Sequence, residues 1–346
     1  MLSIYDLSQK EEWDSIVKSF KSYDVYYLSG YLKAFQLHGD GEPLLFYYNE
    51  GALRGINIVM KRDIHTDINF SGIIEEGCYF DLATPYGYGG WLVEGIGDIN
   101  KLLAEYEIWC FQNNIICEFV RFHPILKNHL ILKDYYDVIH LGSTISMELD
   151  SPNVIWTNIT SKGRNMIRKA MKNGLSVYRA QNPEIYSVFR EIYEDTMLKD
   201  DADRYYYFED EFYKSIMEDL KNHSQVFYVT AKNGEIVAAS IMIYANGRLN
   251  YHLSGSKKEY QNLGLTNLLI YETALWGSEN GFSTFHLGGG VGSKEDGLYL
   301  FKKSFNRNEP NPYFIGKKIF NHQIYEKLCA IRTGIESTTF FPAYRA

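Results

Sequence analysis

Apolar and polar positions along this chain follow one plan that appears twice. From Leu45 to Met60, β-branched and aromatic residues flank the turn Asn49-Glu50-Gly51. From Tyr228 to Ile243 they flank Lys232-Asn233-Gly234, so each stretch predicts a strand, a tight turn and a second strand. A helix and then a strand follow each hairpin: 100–113 then 115–122, and 265–279 then 282–287. The turn after each helix carries Asn, at Asn113-Asn114 and Asn280-Gly281, the residue types that stop a helix in a left-handed conformation. We read this as an internal duplication, giving two α/β halves. A break at Asp150-Ser151-Pro152-Asn153, ahead of a helix from about Ile155, sets the boundary: residues 1–150 with 318–346 form a first domain, and 151–317 a second.

Composition narrows the class. With 346 residues, 45% hydrophobic, the chain has enough apolar surface for two cores, and disorder, collagen and coiled coil are excluded as whole-chain descriptions. Between Met1 and Trp13, Asp6, Lys10, Glu11 and Glu12 interrupt any apolar run, so no signal or transit peptide is written there. No stretch approaches the roughly 18 apolar residues of a membrane span. Four scattered cysteines without C-x-x-C spacing read as reduced thiols, and the expected setting is cytoplasmic.

Charge is uneven. The net charge is −8, yet residues 151–183 contain no acid and carry Lys162, Arg164, Arg168, Lys169, Lys172 and Arg179. Such a run is either a solvated helix face or a site for an anionic ligand. Further on, a strand over 248–254 leads through Gln261-Asn262-Leu263-Gly264-Leu265-Thr266 into the helix 265–279. A small residue at a helix mouth lets backbone N–H groups approach an anion, although a plain capped helix start reads the same way. Gly292-Ser293-Lys294 runs into Glu295 and Asp296, which excludes a P-loop. Phe301 and Phe305, one turn apart, would anchor a short helix holding Lys302 and Lys303 on a fixed stem. No His/Cys cluster has zinc spacing and no Gly-x-Ser-x-Gly elbow is present, so neither a metal nor a serine nucleophile is expected.

Several of these segments together carry a resemblance. Gln261-x-x-Gly264-x-Thr266 resembles the pyrophosphate-binding turn of GNAT acyltransferases, with Thr in the last place. Lys162-Gly163-Arg164 through Gly174, Ser254-Gly255-Ser256 with Tyr260, Leu287-Gly288-Gly289 and Leu298-Tyr299-Leu300-Phe301-Lys302 resemble the FemABX family of cell-wall aminoacyltransferases. So do Tyr79 to Gly90 and Val120-Arg121-Phe122-His123-Pro124 in the first half. The resemblance implies an α/β (α+β) fold of two tandem GNAT-like domains, each a mixed sheet flanked by helices. It also implies transfer of an amino acid from aminoacyl-tRNA to an amine of a peptidoglycan precursor. Carried over by position, Lys302 lies near the transferred group and His123 stands where the family has an acid or His before Pro. Ser254, Gln261, Gly264 and Thr266 face the donor and Arg164, in the motif Lys162-Gly163-Arg164, the acceptor, while Lys33 and Arg204 are looser matches to the precursor-phosphate contacts. The Gly-rich, aromatic stretch Thr84 to Gly90 is read as a fixed loop presenting Tyr86 and Tyr88 to the acceptor.

Direct transfer is expected, with no acyl-enzyme and no tightly bound cofactor. The Lys302 ammonium would balance charge on the acyl or leaving oxygen, and His123, whose ordinary pKa is near neutrality, would take the amine's proton. Two donors stay open. Aminoacyl-tRNA makes tRNA a partner alongside the cell-wall precursor; acyl-CoA with an amino sugar of an envelope polysaccharide fits the Gln261/Gly264 turn and the negative net charge, which does not favour RNA. A non-catalytic binding protein on the same fold is the third reading. No DNA partner is expected.

Overall fold

Side-chain caps start most helices of this chain, and β-branched or aromatic runs between Gly- and Asn-bearing turns make its strands. In chain order the elements are β1 (Leu2–Tyr5), α1 (Lys10–Lys18), α2 (Ser29–His38), β2 (Glu42–Glu50), β3 (Leu53–Asp63), β4 (Phe80–Ala83), β5 (Leu92–Glu94), α3 (Ile99–Gln112), β6 (Ile115–Arg121) and β7 (Asp137–Glu148). There follow α4 (Pro152–Asn158), α5 (Ser161–Lys172), β8 (Ser176–Ala180), α6 (Pro183–Lys199), α7 (Asp210–Glu218), β9 (Ser224–Thr230), β10 (Ile236–Ala245), β11 (Arg248–Ser256), α8 (Leu265–Glu279), β12 (Thr284–Gly288), α9 (Gly297–Lys303), β13 (Asn311–Ile319) and α10 (His322–Ile331). This computed structural model describes residues 1–332 and 339–346. The sequence pattern predicts a helix from about His322 to Thr333, and Thr333 lies outside the described residues. None of the described helices is long and apolar enough to cross a membrane.

Two compact units divide the chain, unit 1 comprising Met1–Leu141 with Tyr313–Ala346 and unit 2 comprising Gly142–Pro312. In unit 1 the strand order is β1-β2-β3-β4-β6-β13, with β5 on β3. Antiparallel pairing gives way to a parallel pair at β4 and β6, which α3 connects. Unit 2 repeats the plan: β8, β9, β10 and β11 are antiparallel neighbours, and β11 and β12 are the parallel pair that α8 connects. Asn114 (φ 53°) and Gly281 (φ 78°) are the left-handed residues that stop α3 and α8.

Each unit buries its own apolar face. In unit 1, Phe46, Trp91, Leu102, Tyr106, Val120 and Phe122 pack under α3; in unit 2, Ile167, Leu265, Leu268, Ile270, Phe285 and Leu287 pack under α5 and α8. Ile155, Ile159, Ile167 and Ala170 turn inward, which leaves Lys162, Arg168, Lys169 and Lys172 of α5 exposed.

Candidate active site

The parallel pair of unit 2 opens. β11 and β12 pair only at Arg248–Thr284, Leu249–Phe285 and Asn250–His286, and both strands then run on without pairing each other. Each strand carries a bulge just past the last pair. Against β10 the register passes from Ile241–Leu253 to Met242–Tyr251, which makes His252 the extra residue. Against β7 it passes from His286–Ser146 to Gly288–Ile145, which makes Leu287 one. Bulges add twist and re-aim a strand, so the pair splays into a wedge just past Asn250. Burial pushes the His252 imidazole down to about 3, so it is neutral across the working range.

Lys302 stands on one wall of this wedge. α9, started by the Asp296 carboxylate accepting from Tyr299 N at 2.9 Å, carries it inward until it is only 8% exposed. Its ammonium donates to the carbonyl of Gly289, just past the end of β12, at 2.7 Å, leaving two N–H donors for other acceptors. Burial lowers its pKa from 10.5 to about 8, with Asp296 opposing the shift. The same Asp296 accepts from Val291 N at 3.0 Å, and a Cβ on Gly290 would lie 2.3 Å from its Oδ1, so the glycine turn folds directly onto that carboxylate. Phe305, which the spacing put inside the helix, lies past its end, although its ring still meets that of Phe301 at 5.4 Å. Asp296 was not singled out from the sequence; its position three residues before Tyr299, as an N-cap, was the available signal.

Donor-side residues cluster at the start of α8. Gly264 is its N-cap, left-handed at φ 79°, with no side chain satisfying the first N–H groups. A Cβ there would lie 2.6 Å from the carbonyl oxygen of Met166, so glycine is needed both for the turn and for α5 to pack over it. Lys169 donates to Asn262 O at 2.6 Å, and Gln261 to Ser256 Oγ at 3.2 Å; Thr266 is half-buried in the first turn. Ser254 lies on the length of β11 that no longer pairs with β12, though it stays opposite Ser240 of β10, and accepts a hydrogen bond from the Tyr251 hydroxyl at 2.6 Å.

Acceptor-side residues divide by unit. In unit 1, Tyr31 of α2 donates to the carbonyl of Tyr86, the Phe35 and Tyr86 rings are 6.1 Å apart, and half-buried Lys33 lies on the same helix. Tyr88 packs against Tyr26 at 5.3 Å and Tyr313 at 5.6 Å. In unit 2, Arg204 is exposed on a short 3-10 turn (Arg204–Tyr206). Arg164 is occupied: its guanidinium donates to Trp156 O at 3.2 Å and Ile159 O at 2.9 Å, closing the C-terminal end of α4. Those are the carbonyls a helix end leaves without partners, which gives this arginine a structural role in place of the precursor contact expected of it.

His123 is likewise not placed to act as a base. Its side chain is fully buried; Nδ1 accepts from Ile125 N and Leu126 N, both at 3.3 Å, which puts the proton on Nε2, donating to Asp24 Oδ2 at 2.9 Å. With both nitrogens engaged, the imidazole has no lone pair to offer an amine. Instead it braces the loop after β6. Asn128 continues the brace, accepting from His123 N and donating to Gly89 O. Asp24, almost a hundred residues away in sequence, gave no signal of this pairing.

Comparison with known proteins fits the geometry. Residues 161–299 match the model of the Acetyltransferase (GNAT) domain. No curated protein matches the chain. Among solved structures, FemX is similar at 15% identity and TM-score 0.67, covering 92% of this chain and 98% of its own. L-PGS from Bacillus licheniformis is similar at 17% identity and TM-score 0.53, covering 82% and 86%. The C-terminal domain of a putative lysylphosphatidylglycerol synthetase from Agrobacterium fabrum is similar at 14% and 0.56, covering 92% and 94%. The chain therefore has the FemABX-like tandem GNAT fold, and its second unit is an acyltransferase domain of GNAT type.

Proposed function

We propose that the protein moves an aminoacyl group directly from aminoacyl-tRNA to an amine of a cell-wall precursor, with the chemistry in unit 2. The observation that carries this reading is the open β11–β12 wedge with the buried Lys302 ammonium on its wall. Likeness in fold to FemX over nearly the whole of both chains supports a cell-wall precursor as acceptor, and the choice of donor rests on the sequence resemblance. In the reaction the neutral amine adds to the ester carbonyl, the amide C–N bond forms, and the ester C–O bond breaks. The proton the amine loses balances the one the departing tRNA hydroxyl gains. Lys302 supplies charge where the oxygen becomes negative, in a site dry enough to lower its own pKa. On this reading the protein works in the cytoplasm, where aminoacyl-tRNA is made. In unit 1, Lys33, Tyr86 and Tyr88 are then assigned to the precursor.

One feature favours a second reading, acyl-CoA as donor with an amino sugar as acceptor. The uncapped start of α8 behind Gln261 and Gly264 is suited to a pyrophosphate. The experiment pairs the two. Labelled alanyl-tRNA with a UDP-linked muropeptide, and labelled acetyl-CoA with glucosamine, are incubated with the protein and with Lys302→Ala. Label in the muropeptide, lost in the variant, is the expected result. Label only in the sugar selects the second reading, and label in neither rejects both.

A further inference from the structure

The wall of the wedge opposite Lys302 also carries a hydrogen-bond donor. Counted from the last pair, Asn250–His286, Ser254 is the fourth residue along β11 and Gly289 the third beyond His286, and each path contains one bulged residue. Gly288 (φ 77°) turns the chain at the end of β12, so by residue count Ser254 and the carbonyl that seats the Lys302 ammonium stand at about the same level of the wedge. Ser254 lies on β11 and Gly289 just past the end of β12, beyond the point where the two strands stop pairing.

The direction of Ser254's own hydrogen bond follows from its neighbour. Tyr251 donates its hydroxyl proton to Ser254 Oγ at 2.6 Å. Ser254 must then turn its own proton elsewhere, and among the described residues it makes no second hydrogen bond. It is half-buried, so the proton has an outlet. Burial pushes the Tyr251 phenol up to about 12, which keeps its proton in place for that donation.

We propose that the Ser254 hydroxyl and the Lys302 ammonium form a two-donor clamp on the oxyanion of the acyl group in transit, with Tyr251 as the positioning residue that turns Ser254's proton into the wedge. This rests on the acyl-transfer reading above and adds catalytic work to a serine assigned so far only to donor binding. No proton leaves either hydroxyl: the carbonyl oxygen gains negative charge as the C–N bond forms, both donors stabilise it, and it returns to a carbonyl as the leaving oxygen departs. A donor aimed at the developing charge acts on turnover, whereas one that only holds the donor molecule acts on KM.

The test uses the full chain with labelled alanyl-tRNA and UDP-linked muropeptide, and with labelled acetyl-CoA and glucosamine, in whichever pair the wild type turns over. Ser254→Ala is expected to lower kcat about 100-fold with the donor KM little changed. Ser254→Thr, which keeps the hydroxyl, should recover most of that loss. Tyr251→Phe should lower kcat about tenfold in the wild type and have no further effect in the Ser254→Ala background, a non-additivity that a packing defect does not produce. Thermal melting of each variant shows that it is folded. A Ser254→Ala kcat within twofold of wild type, while Lys302→Ala is strongly impaired, overturns the clamp and leaves the acyl-transfer reading standing. Additive losses for the two substitutions overturn the role of Tyr251. No transfer by the wild type from either donor overturns both, and that outcome is distinct because it precedes any variant.

Discussion

The two units share a strand plan and differ at the one place where a donor would enter. In unit 2 the parallel pair stops at Asn250–His286 and opens. In unit 1 the equivalent pair, β4 and β6, runs from Phe80–Ile115 to Ala83–Phe119 and is then zipped further. Thr84 N donates to Phe119 O, the Thr84 hydroxyl accepts from Arg121 N, and Gly89 N donates to Arg121 O at 2.8 Å. The connecting helices differ in the same sense. α3 begins at Asp98, whose carboxylate accepts from Asn100 N at 2.9 Å, while α8 begins at uncapped Gly264. A carboxylate at a helix start occupies the place and charge an anion would take. One unit thus has an open wedge and an uncapped helix start, and in the other, pairing through Thr84 and Gly89 closes the first and the Asp98 carboxylate occupies the second. Chemistry needs only one such opening, which leaves the closed lobe to rigid support and to whatever its aromatic loop holds.

The strongest way to break this contrast is at Lys302. Lys302→Met should lower turnover by about 10²–10³, or roughly 3–4 kcal/mol of barrier, as loss of an oxyanion donor does elsewhere. The same change should stabilise the fold. A native pKa of about 8 against 10.5 means that the folded chain releases this proton first. Stability from this group therefore rises with pH between about 8 and 10.5, and below that window the buried charge costs about 3 kcal/mol. Denaturant melts of Lys302→Met and wild type at pH 7 and pH 10 should differ by more at pH 7. Equal gaps at the two pH values would show that the lysine is not held as a costly buried cation.

Unit 1 carries its own costly group, with no chemistry attached. Burial pushes the Glu118 carboxyl up to about 7, against hydrogen bonds from Tyr136 OH at 2.8 Å and Asn57 Nδ2 at 3.2 Å. Here the folded chain holds the proton longer, so stability falls as pH rises from about 4.5 to 7, by about 3 kcal/mol in total. Glu118→Gln should remove that slope in urea melts, because Asn57 Oδ1, which has no partner, can accept from the new amide after a flip. Transfer activity should be untouched. A smaller effect belongs to His123→Gln: leaving Asp24 without its imidazole should destabilise unit 1 by roughly 2–3 kcal/mol. The rate–pH profile should keep its shape. A profile that loses its acid limb in this variant would restore the histidine as a base.

Much of this was legible along the chain because it is local. Both hairpins, α3 and α8, their left-handed stops and the parallel strands that follow them are set by periodicity and turn chemistry within about 15 residues. Gly264 stood out through composition at a helix mouth, whereas Lys302 was singled out by the family resemblance, the aromatic spacing around it placing Phe305 inside a helix that ends before it. What could not be read depends on partners distant in sequence. Asp24 finds His123 across 99 residues, and Arg164, part of an eye-catching cationic run, is taken by the carbonyls of the preceding helix. The bulges at His252 and Leu287 leave no mark in a pattern of alternating residues, because a bulge changes register without changing composition.

The mildest test concerns the two helix starts. Asp98→Ala removes the cap of α3 and should cost about 1 kcal/mol, a typical loss for an exposed N-cap, seen as a small fall in urea midpoint with m unchanged. If an uncapped helix start were sufficient for donor binding, this variant would gain affinity for an anion such as pyrophosphate, measured by calorimetry. It should gain none, because the β4–β6 pair in front of α3 stays zipped through Thr84 and Gly89 and leaves no wedge for the rest of a donor to follow. New pyrophosphate binding in Asp98→Ala, abolished again by Asp98→Asn, which keeps the cap, would mean that the cap alone separates the two lobes. The strand opening would then be incidental to donor binding.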